Sequence, residues 1–148
     1  MITGRSHIDI ERSVTTVYDF IVVRFFDNYP RWSPQVRELQ ALNGDRIALG
    51  TRARQVRVDQ GRRSETRFEV TRLEPERAID FDGDWQAKFA LRYRFEPLGE
   101  QRCRLSMEFE LKQLDLFMRP FEKLIRHAVQ HGTDQTVRNI KRLIEREH

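Results

Sequence analysis

"LRYRFEPLGEQRCRLSMEFEL", residues 91–111, decides the fold by its alternation. Leu91, Tyr93 and Phe95 face one way, and Arg92, Arg94 and Glu96 face the other. After "PLGEQ" at 97–101 the alternation resumes, with Cys103, Leu105, Met107, Phe109 and Leu111 set against Arg102, Arg104, Ser106, Glu108 and Glu110. A period of two over such lengths means strands with one buried and one wet face. The Pro and Gly between them make a hairpin turn. Working outward, Trp85, Ala87 and Phe89 extend the pattern upstream, beyond a turn-like "DGD" that follows Ile79 and Phe81. Thr66, Phe68 and Val70 alternate again, and "DQGRR" at 59–63 reads as a second hairpin. The middle of the chain is therefore a run of antiparallel strands, not a series of βαβ units.

Both ends differ from the middle. Residues 5–11 form a short strand with Ile8 and Ile10 inward. Ser13 can cap a helix whose apolar positions are Val14, Val17, Tyr18, Ile21 and Phe25. "FFDNYPRWSP", residues 25–34, follows it with two prolines, which argue against a regular helix there. At the C-terminus an amphipathic stripe from Leu114 to Ile144 predicts a long helix over roughly 120–146. Pro120 either opens that helix at its first turn or kinks it. The chain then reads as one α+β domain over residues 1–148.

Composition narrows the class. The chain has 148 residues, 39% hydrophobic and 34% charged, which suits a globular protein. No run reaches the roughly 18 apolar residues that span a bilayer. The first residues, MITGRSHIDIERS, lack the apolar core of a secretory signal, and a lone cysteine, Cys103, fits a reducing cytoplasm. The formal charge of +4 raises the question of nucleic acid. The arginines are dispersed among acids such as Glu65, Glu69, Glu108 and Glu110, which is the pattern of a salt-laced sheet face rather than a concentrated basic patch.

Chemistry is weakly signalled. Cys103 points inward on its strand and reads as an inert thiol. His127 and His131 are four apart on the C-terminal helix, but no third ligand has an obvious source and no metal is expected. Asp80, Asp82 and Asp84 flank a Gly83 that is wrong for an EF-hand loop. Tyr93, with Trp85 as a second donor and His131 on its helix, could polarise a carbonyl, yet no acid/base pair is forced together by spacing.

The order strand, broken helix, antiparallel strands, long helix resembles the START-like (SRPBCC) superfamily with its helix-grip fold. Within it, the chain resembles the bacterial polyketide cyclase/dehydrase and lipid-transport family. The stretches that carry the resemblance are "IDIERSVTTVYDFIVVRFFDNYPRWSP", "LGTRARQ", "RFEVTRLEPERAIDF" and "LRYRFEPLGEQRCRLSMEFEL". It implies a curved antiparallel sheet wrapped round the C-terminal helix, a hydrophobic small-molecule ligand between them, no shared catalytic residues and no cofactor. The ligand classes it suggests are a lipid, an isoprenoid quinone or a polyketide-like ring.

The candidate lining is Phe68, Phe81, Trp85, Phe89, Tyr93 and Met107 from the sheet, with Phe121, Leu124 and Ala128 from the helix. Trp32 joins them from the proline-rich bend. It is expected at the cavity mouth and partly buried, with a fixed core plug as the alternative. Three functions remain open: a carrier of such a ligand, a cyclase, dehydratase or hydrolase acting on it, or an interaction module using the Arg-rich face.

Overall fold

The computed structural model describes residues 1–83, 88–114 and 116–148. Strand β1 (Ile2–Ile10) leads into helix α1 (Val14–Tyr18), a π-helical turn (Asp19–Val23) and helix α2 (Phe25–Trp32). Six strands follow: β2 (Val36–Ala41), β3 (Arg52–Asp59), β4 (Arg62–Glu74), β5 (Ala78–Gly83), β6 (Phe89–Gly99) and β7 (Arg102–Leu111). A 3-10 segment (Leu116–Phe121) containing Pro120 then introduces helix α3 (Glu122–Glu147). All strand pairs are antiparallel, in the order β1-β7-β6-β5-β4-β3-β2. The expected helix-grip arrangement is therefore the observed one.

The hairpins form where the turn residues permit. Between β3 and β4 only Gln60 and Gly61 intervene, both at positive φ (53° and 82°), the conformation of a two-residue turn that matches strand twist. Between β5 and β6, Gly83 pairs with Phe89, whose ring covers it so closely that a Cβ on Gly83 would lie 2.1 Å from Phe89 Cε1. The register fixes the faces. Tyr93 pairs with Met107 and Phe81 with Leu91 on the concave side, while Arg92 pairs with Glu108 on the convex side.

The convex face is laced with ion pairs. Arg92 contacts Glu108 (3.5 Å) and Glu110 (3.1 Å), Arg94 contacts Asp80 (2.5 Å), and Arg104 contacts Asp9 (2.8 Å). Arg5 also reaches Glu108. Each pair contributes little to stability, but together they neutralise the arginines that gave the chain its basic appearance.

The sheet has an edge at β1, and α3 covers it. Gln130 accepts from the Arg5 N–H (3.1 Å) and donates from its own Nε2 to the Arg5 carbonyl (2.7 Å), taking the place of a neighbouring strand. Lys141 donates to the Asp9 carbonyl, and Glu145 accepts from the Glu11 N–H. The packed stripe of α3 is Thr133, Val137, Ile140, Leu143 and Ile144, all from its twelfth residue onward.

One expectation needs correction. Residues 25–32 are helical although Pro30 lies inside. The helix is short, so Pro30 removes a single hydrogen bond near its end, and the Ser33 N–H still reaches the Tyr29 carbonyl at 3.0 Å. Phe25, Tyr29 and Trp32 are spaced i, i+4, i+7, and all three are buried. Burying that aromatic stripe outweighs the lost bond. Upstream, the π-turn bonds the Arg24 N–H to the Asp19 carbonyl, and the buried Asn28 side chain donates to the Phe20 carbonyl at 2.9 Å. Among the described residues no helix is long and apolar enough to cross a membrane.

Candidate functional site

The aromatic stripe of α2 lies directly on the concave face of the sheet. Phe25 sits 5.1 Å from Phe81 and 6.1 Å from Phe68 between ring centroids, and stacks on Tyr29 at 4.8 Å. Trp32 is 1% exposed. Its expected place at a partly exposed mouth therefore gives way to a core position, because the helical turn that Pro30 was expected to break carries it inward.

Behind this layer lies a buried polar cluster. The Tyr29 hydroxyl donates to Gln55 Oε1 at 2.8 Å, and Gln55 Nε2 donates to Thr66 Oγ1 at 2.9 Å. Arg57 Nη1 donates to the Tyr29 hydroxyl at 3.2 Å and to Ser33 Oγ at 3.1 Å, while its other nitrogens bind Asp59. Burial pushes the Tyr29 phenol upward, against the opposing pull of Arg57 and of the hydrogen bonds. Burial also draws the Arg57 guanidinium down, but Tyr29 and Asp59 more than offset it, so it stays charged. Tyr93, 1% exposed, is pushed far upward chiefly by burial. The Trp32 indole lies near enough to its phenol to lower it slightly, yet Trp32 Nε1 makes no hydrogen bond.

At neutral pH the cluster is thus a hydrogen-bonded network around one fixed cation, Arg57, whose outer side is paired with the exposed Asp59. Its buried polar members include no carboxylate and no imidazole among the described residues. Such an array can hold and polarise a carbonyl or hydroxyl oxygen, whereas taking a proton from carbon needs a base.

The other predicted lining residues fall into two groups. Phe68, Phe81, Phe89, Tyr93 and Met107 all lie buried on the concave face, and Phe89 stacks on the half-buried Phe109 at 5.7 Å. Phe121, Leu124 and Ala128 do not join them. All three are exposed, Phe121 at 53% and Leu124 at 66%, so their assignment to the lining is corrected. The cause is helical phase: Leu124 precedes Thr133 by nine residues, which at about 100° per residue puts it on the opposite side of α3. Trp85 lies outside the described residues.

Near Phe89 and Phe109 the sheet is lightly roofed, since the 3-10 segment and the first eleven residues of α3 bury no side chain. A groove of about 720 Å³ is lined by Arg52, Arg67, Glu69 and Asp82 of the convex face together with Phe68, Gly83, Lys88 and Lys112, and neither Phe89 nor Phe109 lines it.

His127 and His131 stack at 6.5 Å on the exposed side of α3, and among the described residues no group of three His, Cys, Asp or Glu is placed to hold a metal ion. Cys103 is fully buried, and burial raises its thiol to about 11. Tyr29, Gln55 and Arg57 are the residues that sequence reasoning missed. The signals were there: Tyr29 in the i, i+4, i+7 stripe, and Gln55 and Arg57 sharing the inward parity of Ala53 on β3.

Comparison with known proteins places this geometry. The family model described as "Polyketide cyclase / dehydrase and lipid transport" matches residues 1–145. No curated protein sequence matches the chain. Among solved structures, the Zhui aromatase/cyclase from a Streptomyces species, R1128, superposes with a TM-score of 0.77 at 11% identity, over 97% of this chain and 93% of that one. TTHA0849 from Thermus thermophilus gives 0.72 at 20% identity, over 97% of each chain. The Polyketide_cyc-like protein Cgl2372 from Corynebacterium glutamicum gives 0.65 at 25% identity, over 98% and 92%.

Proposed function

This chain belongs to the polyketide cyclase / dehydrase and lipid transport family, and on that premise we propose that it binds an oxygenated hydrophobic ring, of the polyketide or quinone kind, on the concave face of the sheet. The observation that carries this reading is the donor array inside an aromatic interior. Arg57 and Tyr29 form its charged end, and Trp32 offers a buried N–H that lies near the Tyr93 phenol but outside hydrogen-bond geometry. An unpaired buried donor costs roughly 1–3 kcal/mol, and a ligand oxygen would remove that cost. The rings of Phe68, Phe81, Phe89 and Tyr93 would hold the apolar body of such a molecule.

Binding is preferred to cyclisation because the carboxylate that joins the array, Asp59, is exposed and tied to Arg57, although polarising a carbonyl is also the first requirement of an aldol closure. The Zhui aromatase/cyclase shares the fold, which by itself does not transfer its activity.

A matched pair of probes tests the reading. Anthraquinone and anthracene have the same ring outline, and only the quinone presents oxygens. The quinone should bind more tightly, by about tenfold or more for a charge-assisted hydrogen bond. Arg57→Met and Tyr29→Phe should abolish that preference while leaving anthracene binding intact. Equal affinity of the folded wild-type protein for both probes would remove the donor array from the function.

A further inference from the structure

Residues 116–128 carry a second apolar surface, distinct from the interior. Leu116 is 70% exposed, Phe117 85%, Phe121 53% and Leu124 66%. Ala128 continues the row: Phe121, at the N-cap of α3, with Leu124 and Ala128 follows the i, i+3, i+7 spacing of one helical face, and Phe117 precedes them on the 3-10 turn. This row cannot close over the concave face of its own chain. The inward stripe of α3 runs through Val129, Thr133 and Val137, and Leu124 lies about half a turn of the helix away from it.

Cations border the row. Arg119, Lys123 and Arg126 are exposed, against the single carboxylate Glu122, which pairs with Arg126 at 3.1 Å. Exposed Phe and Leu beside Lys and Arg, on a helix too polar to span, are the composition of an element that lies in the plane of a bilayer interface.

We propose that residues 116–128 are a docking surface for anionic lipid bilayers. Phe117, Phe121 and Leu124 enter the acyl boundary, and Arg119 and Lys123 meet the headgroups. The net positive charge of the segment selects this occupant over a second copy of the chain, since two such faces brought together would oppose like charges. The proposal stands whatever the interior binds.

Vesicle flotation of the full chain tests it. The protein should float with vesicles of phosphatidylcholine containing phosphatidylglycerol, should bind pure phosphatidylcholine far less, and should be released by high salt. Arg119→Ala with Lys123→Ala should weaken binding about 25-fold, at about fivefold per cation near an anionic surface. Phe121→Ser with Leu124→Ser should weaken it by about tenfold or more, with an unchanged circular dichroism spectrum because both side chains are already exposed. Three results would overturn the proposal: no flotation with either vesicle, equal flotation with both, or a concentration-dependent dimer that the serine variant dissolves in the absence of vesicle binding.

Discussion

Gly4 of β1 lies so close beneath Thr133 of α3 that a Cβ on the glycine would stand 2.7 Å from Thr133 Oγ1. The same atom would meet Val129 Cγ1 at 3.0 Å and the Val129 carbonyl at 3.1 Å. Two backbones approach here because one of them has no side chain. That contact seats α3 on the edge strand and lets Gln130 reach both backbone groups of Arg5.

Gly4→Ala should therefore destabilise the fold by about 1–3 kcal/mol, the usual range for overpacking. Thr133→Ala in the same background should restore only part of it, since the Val129 carbonyl belongs to the backbone. Urea denaturation measures both. A Gly4→Ala variant as stable as wild type would show that α3 yields at this point without cost.

Trp32 makes a different demand. It is fully buried, touching Phe20, Phe25 and Tyr29, and its carbonyl accepts from Asn139 Nδ2 at 3.0 Å. Trp32→Ala should cost roughly 3–5 kcal/mol. Trp32→Phe should cost under about 2 kcal/mol, because it keeps most of the ring volume and discards a donor that has no acceptor. If both variants unfold at nearly the wild-type urea concentration, Trp32 is not the plug that its burial indicates.

Alkaline pH should loosen the protein through Cys103. Its thiol is raised from an ordinary 9.0 to about 11 by burial, partly opposed by a hydrogen bond with the Glu96 backbone. The unfolded chain therefore gives up this proton first, and the folded chain holds it longer. The stabilisation is complete below pH 9 and declines as pH rises towards 11. The buried phenols of Tyr29 and Tyr93, also shifted upward, extend the decline at higher pH. Cys103→Ala should flatten the stability profile between pH 9 and 11, read from urea midpoints. An unchanged slope would mean that the thiol does not ionise differently in the two states.

The strands were legible because a sheet with one wet face writes its burial into alternate residues. On either side of the hairpin at 97–101, Tyr93 and Phe95, then Cys103, Leu105 and Met107, turned inward as their types required. Helix α3 and the turn at Gln60 and Gly61 were equally open to reading, since each depends on near neighbours in sequence. By itself the sequence thus determined the element order, the hairpins and the two faces of the sheet. Tertiary packing decided the rest, at three places. It kept α2 helical through Pro30, because the sheet offered Phe25, Tyr29 and Trp32 a surface worth more than one hydrogen bond. It joined Tyr29 to Gln55 and Arg57, which lie 26 and 28 residues apart from it and which no local pattern couples. It also set the rotation of α3 against β1 at Gly4, leaving Leu124 outside although its hydrophobicity matches that of the buried Leu143. A helix's apolar stripe states which residues favour burial, but its rotation is settled only where another backbone comes close enough to hold it.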